Sequence, residues 1–131
     1  MIAGQALDIG MGSPINDLSS LQDVHRRKTG ALIRCAIRLG ALSAGASESQ
    51  LVSLTTFGEA VGLAFQLADD ILDAEEDAGE DGPPSYVRML GVDETRRRAE
   101  QELDWALASL ANLGDSSALH ALAQFIVLRD H

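Results

Sequence analysis

The stretch Gly62 to Asp73, GLAFQLADDILD, sets three carboxylates into one of the most apolar runs of the 131-residue chain. On a helix Asp69 and Asp73 lie one turn apart with Asp70 beside them, so their side chains are expected to converge within a few ångströms and repel. Val61, Leu63, Ala64, Phe65, Leu67, Ala68, Ile71 and Leu72 cover nearly every face of that helix, which therefore reads as buried. Carboxylates in such a setting cost several kcal/mol each unless paired or metal-bound. A hard divalent cation resolves the conflict, and an oxygen-only donor set suits Mg²⁺, which keeps waters and bridges to substrate phosphates. The alternative on spacing alone is an acidic helix end facing solvent.

Other residues with chemical potential stand upstream. Lys28 falls on an apolar stripe formed by Leu18, Leu21, Val24, Leu32, Cys35 and Leu39 at three- and four-residue steps, which predicts one long helix from Asp17 to about Ala44. A lysine on a buried face seeks an anion, either a substrate diphosphate or the aspartates. Equally, its stem could lie along apolar surface with the ammonium in water. His25 on the same stripe reads as structural, Arg26 and Arg27 as solvated, and Cys35 as buried. Gln5 and Asp8 share a helix face, where a polar surface pair is the simpler reading.

The elements that must position these residues are all helical. A short helix to about Asp8, a loop to Asn16 and the Asp17–Ala44 helix precede a second long helix from Glu48 to about Asp73. An acidic turn spans Ala74 to Pro84. Helices then follow at Tyr86 to Leu90, from a cap at Asp93 to about Leu113, and from about Ser116. Prolines and glycines at Gly10, Gly12, Pro14 and Gly82 to Pro84 mark the breaks. No alternating strand pattern occurs. With 46% hydrophobic residues and only three Phe, one Tyr and one Trp, the composition is that of Ala- and Leu-rich helical proteins of at most one domain.

A net charge of −10 excludes a nucleic-acid grip, which needs clustered Lys and Arg. Arg96 to Arg98 read as surface partners of Glu100 and Glu102. One cysteine rules out a disulfide framework and fits a reducing cytoplasm. With no uncharged run of 18 residues and no signal-like start, no membrane span is expected. Spacing also sets aside di-iron Glu-x-x-His pairs, zinc motifs and P-loops.

GLAFQLADDILD resembles the second aspartate-rich motif of the trans-isoprenyl diphosphate synthases, the farnesyl and geranylgeranyl type of the polyprenyl synthetase family. GQALD at Gly4 to Asp8 and HRRKTGALIRCAIRLGALSAG from His25 to Gly45 are similar to that family's Gln/Asp helix and Lys-Thr helix. SYVRMLG at Ser85 to Gly91 and ETRRRAEQELDWALASL are similar to its closing segments. The whole of residues 1–131 thus looks like the C-terminal portion of a polyprenyl synthetase domain. The fold implied is an all-α antiparallel helical array of the isoprenoid synthase type.

The resemblance implies a prenyltransferase in which an allylic diphosphate ionises and its carbocation is attacked by isopentenyl diphosphate. It implies Mg²⁺ held by Asp69, Asp70 and Asp73, and Gln66, Lys28 and Thr29 as catalytic and diphosphate-binding residues. Gln5 and Asp8 would have secondary roles in the substrate cavity, and the complete enzyme would be a homodimer. The family's first aspartate-rich motif and its arginines have no counterpart here, and the chain opens already in helical register, so an upstream half is expected to be needed. The family's lysine after the second motif is also unmatched, with Arg88 the nearest replacement. Product length is hidden, because in the family residues before the first motif set it. A terpene cyclase is disfavoured because its downstream metal motif is lacking. Besides the transferase, a non-catalytic partner subunit and a substrate-free acidic module remain as alternative readings.

Overall fold

The computed structural model describes residues 15, 17–76 and 83–128, all of whose regular elements are helices. In chain order they are α1 (Leu18–His25), a five-residue π-helical wide turn (Arg26–Gly30), α2 (Ala31–Ser43), α3 (Glu48–Glu76), α4 (Tyr86–Leu90), α5 (Val92–Ser109) and α6 (Ser117–Val127). The all-α expectation is met. The expected first helix, with Gln5 and Asp8, and most of the acidic turn lie outside the described residues.

Local chemistry sets the helix ends. Asp17 starts α1 by accepting from the Ser20 backbone N–H at 2.9 Å. At the end of α2, Gly45 turns left-handed at φ 72°. There the N–H groups of Gly45 and Ala46 return to the carbonyls of Leu42 and Ala41, which satisfies the last turn. Ser47 and Gln50 then form a reciprocal cap at the start of α3: the Ser47 N–H donates to Gln50 Oε1 at 2.8 Å and the Gln50 N–H donates to Ser47 Oγ. Gly91, at φ 82°, joins α4 to α5 and is itself the N-cap of α5, so Asp93 falls in the first turn rather than at the cap. The helix stops at Ser109, short of the expected Leu113.

α3 is the central element, packed mainly on α5 and α2 and touched by every other described helix. Its inner face contributes Phe57, Ala60, Val61, Ala64 and Leu67 to a core completed by Leu21, Tyr86, Ala99, Leu103, Ala106, Leu110, Ala123 and Val127. Five of these are alanines, so helices approach closely and burial is spread over many small contacts. The apolar part of α3, Glu48–Ala74, is long and apolar enough by composition to cross a membrane, with a mean hydropathy of 1.4. Half of that stretch is buried inside the molecule, which accounts for its apolar character.

The wide turn corrects the sequence reading of the first long helix. Leu21 and Val24 are buried as expected, but Leu32, Cys35 and Leu39 are exposed, Leu32 at 56% and Leu39 at 60%. A π turn carries an extra residue, so the phase of the apolar stripe shifts across it. Beyond it Ile33, Ile37 and Ala41 face inward in place of Leu32, Cys35 and Leu39. The second correction concerns Arg97 and Arg98, which pair with Glu94 (2.7 and 2.8 Å) rather than with Glu100 or Glu102. Hydrogen bonds from both guanidiniums hold the Glu94 carboxyl down at about 2.

Candidate functional site

Two glycines build the site. A Cβ at Gly62 would stand 3.1 Å from the Cα of Gly30, so α3 and the end of the wide turn meet backbone to backbone. One turn earlier, a Cβ at Gly58 would meet Ile37 Cδ1 at 3.0 Å and Arg34 Cα at 3.3 Å. This small-residue seam on α3 lets the segment carrying Lys28 and Thr29 lie against the helix one turn before Gln66. Lys28 and Thr29 are half-buried on the wide turn, and Gln66 is buried.

Continuing along the same face of α3, Asp69 and Asp70 are half-buried while Asp73 is exposed. The apolar residues expected to cover this helix are buried (Val61, Ala64, Leu67, Ala68, Ile71) or half-buried (Leu63, Phe65, Leu72), as anticipated, and the stretch opens to the surface at Asp73. Asp69 and Asp73, at i and i+4, stand on one side of the line through Gln66, whereas Asp70 lies about 100° round the helix from Asp69. Asp70 Oδ2 accepts the backbone N–H of Tyr86 at 2.6 Å. Burial pushes the Asp70 carboxyl up to about 6; the Tyr86 N–H opposes this, and the charges of Asp69 and Asp73 add to it. Among the described residues no group of three or more His, Cys, Asp and Glu side chains is placed to hold a metal ion. The expected convergence of all three aspartates is thus not what the structure shows, because Asp70 has turned to a backbone donor.

The donor set nonetheless fits a hard divalent cation. Asp69 and Asp73 present oxygen only, on an open face, beside a carboxyl that burial, and to a smaller degree their own charges, pushes up. An ion held through one or two carboxylates, completing its shell with water and phosphate oxygens, suits Mg²⁺ better than an all-protein cage would.

Around this face lie groups to which the sequence reading gave no role. Tyr86, 2% exposed, sets its ring against His25 at 5.3 Å between centroids, tilted by 59°. His25 is buried, in keeping with its structural reading. Glu59, on the Gly62–Gln66 side of α3, accepts from Arg34 Nη1 at 3.0 Å and has the Nη2 of Arg26, exposed as expected, at 3.9 Å. A cleft of about 490 Å³ opens beside the seam and includes Asp23, Arg26, Gly30, Glu59, Gly62 and Leu63 in its wall. None of Lys28, Thr29, Gln66 or the three aspartates lines it; it abuts them through Gly30 and Gly62. Arg88, the candidate for the unmatched lysine, is exposed on α4. The signal for α4 was present in the sequence as Ser85 before an apolar run, and Ser85 Oγ does accept the Arg88 N–H at 3.2 Å.

An all-α array built around one long apolar helix, with aspartates at its open end and a Lys-Thr turn against it, is the architecture of an isoprenoid synthase-type fold. The polyprenyl synthetase family model matches residues 1–86, and the chain belongs to that family. It is 43% identical to the farnesyl diphosphate synthase of Escherichia coli (strain K12), a match covering 99% of this chain and 48% of that protein. It is 34% identical to the chloroplastic geranylgeranyl pyrophosphate synthase of Catharanthus roseus over 100% of this chain and 40% of the relative. The structure of an FPP/GFPP synthase from Zymomonas mobilis superposes with a TM-score of 0.86 at 32% identity, covering 97% of this chain and 45% of that one. The chain spans about half the length of the curated relatives it matches.

Proposed function

We propose that this chain supplies the second-motif half of a prenyltransferase site that condenses an allylic diphosphate with isopentenyl diphosphate. The observation that carries the reading is the Gly30–Gly62 contact, which lays the Lys28–Thr29 turn against the face of α3 bearing Gln66, Asp69 and Asp73. In that arrangement the Lys28 ammonium and Thr29 hydroxyl face a diphosphate as donors, and the Gln66 amide orients it from the helix. Asp69 and Asp73 would hold Mg²⁺, which when bound neutralises charge developing on the departing pyrophosphate. Homodimerisation belongs to the same reading by family likeness, and a cytoplasmic setting is proposed from the lone cysteine.

Activity is proposed to require the upstream half that the relatives carry. Exposed large apolar residues support this: Leu32, Leu39, Leu42, Val52, Trp105, Leu122, Phe125 and Leu128 give this half broad faces suited to further helices. The test is to join the chain to the upstream half of the Escherichia coli relative and assay condensation of geranyl and isopentenyl diphosphates with and without Mg²⁺. Mg²⁺-dependent product, lost on Asp69→Ala with helicity intact, is expected. Turnover indifferent to Asp69→Ala would remove the assignment.

A further inference from the structure

Asp70 bonds to the backbone of a separate helix, and that bond has a structural purpose. α4 has only five residues, too few to hold its shape by its own hydrogen bonds. Its first N–H groups are orphan donors that need outside acceptors. Ser85 Oγ serves Arg88, and Asp70, 16 residues away in sequence, serves Tyr86 at 2.6 Å. Among the described residues the buried Tyr86 hydroxyl has no hydrogen-bond partner, so the polar anchor of this residue is its backbone N–H and not its side chain. The ring meanwhile packs on His25, the last residue of α1, directly before the wide turn and three residues before Lys28.

We propose that Asp70 is a positioning residue: by taking the Tyr86 N–H it ties α4 to α3, and through the Tyr86 ring on His25 it fixes the turn that carries Lys28 and Thr29. The aspartate-rich motif then divides its labour. Asp69 and Asp73 face the cation, while Asp70 holds together the two polypeptide segments between which the diphosphate would lie. The assignment of Asp69 and Asp73 rests on the function proposed above; the tie between Asp70 and Tyr86 stands on the geometry alone.

Asparagine separates the two roles, because its side-chain carbonyl still accepts an N–H bond but carries no charge for a cation. The experiment uses the 131-residue chain and the variants Asp70→Ala, Asp70→Asn and Asp69→Asn, with residue-resolved amide exchange at Tyr86 and titration of Mg²⁺ with inorganic pyrophosphate. Asp70→Ala is expected to speed Tyr86 exchange about tenfold or more, with Asp70→Asn within about threefold of the parent. Unchanged exchange in Asp70→Ala, or equally fast exchange in Asp70→Asn, overturns the tie. Asp69→Asn is expected to weaken Mg²⁺–pyrophosphate binding at least about tenfold while leaving Tyr86 exchange unaltered, and Asp70→Asn to weaken it far less. Equal losses in the two asparagine variants overturn the division of labour. An Asp69→Asn chain that binds like the parent, alongside a freed Tyr86 in Asp70→Ala, overturns the cation reading while upholding the tie.

Discussion

Substituting Gly62 by alanine tests whether the approach of the wide turn to α3 is as close as the geometry states. A Gly→Ala change inside a helix is worth about 1 kcal/mol of stabilisation when nothing obstructs the new methyl. At Gly62 the methyl carbon would lie 3.1 Å from Gly30 Cα, with the Gly30 carbonyl oxygen and Ile33 Cδ1 each at 3.9 Å. Normal carbon–carbon contact is about 3.5–4.0 Å, so the turn must withdraw by about half an ångström. The obstructing atom is backbone, which has no rotamer to move. Overpacking of this kind costs about 1–3 kcal/mol, which exceeds the propensity gain or cancels it. Gly40 is the internal control, since it sits within α2 with nothing inside 4 Å of its ideal Cβ. Gly40→Ala should therefore stabilise by ~0.5–1 kcal/mol, leaving the two variants ~1–3 kcal/mol apart. Guanidinium unfolding followed by far-UV circular dichroism reads this as a midpoint raised in Gly40→Ala and unchanged or lowered in Gly62→Ala, at unchanged slope. If Gly62→Ala rises as far as Gly40→Ala, the seam is open and the placement of Lys28 and Thr29 against α3 loses its basis.

Three further outcomes are expected. The Asp70 carboxyl, pushed up to about 6, binds a proton more readily in the folded chain than in the unfolded one. Folding stability should therefore fall as pH rises from about 4 through about 6. Because the group is half-buried, the effect is discounted to ~1–2 kcal/mol, seen as a parent-minus-Asp70→Asn difference that grows more negative over that window. A difference that stays flat from pH 4.5 to 7.5 contradicts it. Phe57, fully buried at the centre of α3, should cost ~3–5 kcal/mol when truncated to alanine, measured by the same denaturant titration. Cys35, exposed because of the phase shift, should react with a maleimide in native buffer as fast as a small free thiol does, and protection until unfolding would contradict the wide turn.

The helices were legible because their ends are written in local chemistry. Ser47 with Gln50, Gly45 after the apolar run, and Ser85 ahead of Tyr86 each satisfy backbone groups within a few residues, so the sequence contains all the information needed. The wide turn was not legible for the opposite reason. The stripe Leu21, Val24, Lys28, Leu32, Cys35, Leu39 obeys helical period without a break, and nothing in RRKTG announces an extra residue in the turn. What selects it is tertiary. With Gly30 placed against Gly62, and Gly58 accommodating Ile37 and Arg34, α2 closes on α3 through Ile33, Ile37 and Ala41 instead of through the leucines. That choice leaves Leu32, Leu39 and Leu42 outside, exposed on α2.

The same contrast runs through the site. Gln66, Asp69 and Asp73 share a face of α3 by helical arithmetic alone. Their relation to Lys28 and Thr29 depends on the glycine seam, a contact between residues 32 positions apart that no local period encodes. Asp70 was read as a third equivalent carboxylate because three acids in five residues look alike in sequence. Its true neighbour is a backbone N–H at the start of a five-residue helix. A free N–H at the first turn of so short an element has to find an acceptor, and Asp70 is the carboxylate of the motif that reaches it. The motif's doubled aspartate is thus not a pair of equivalents: Asp70 accepts the Tyr86 N–H, and the proposed cation role falls to Asp69 and Asp73.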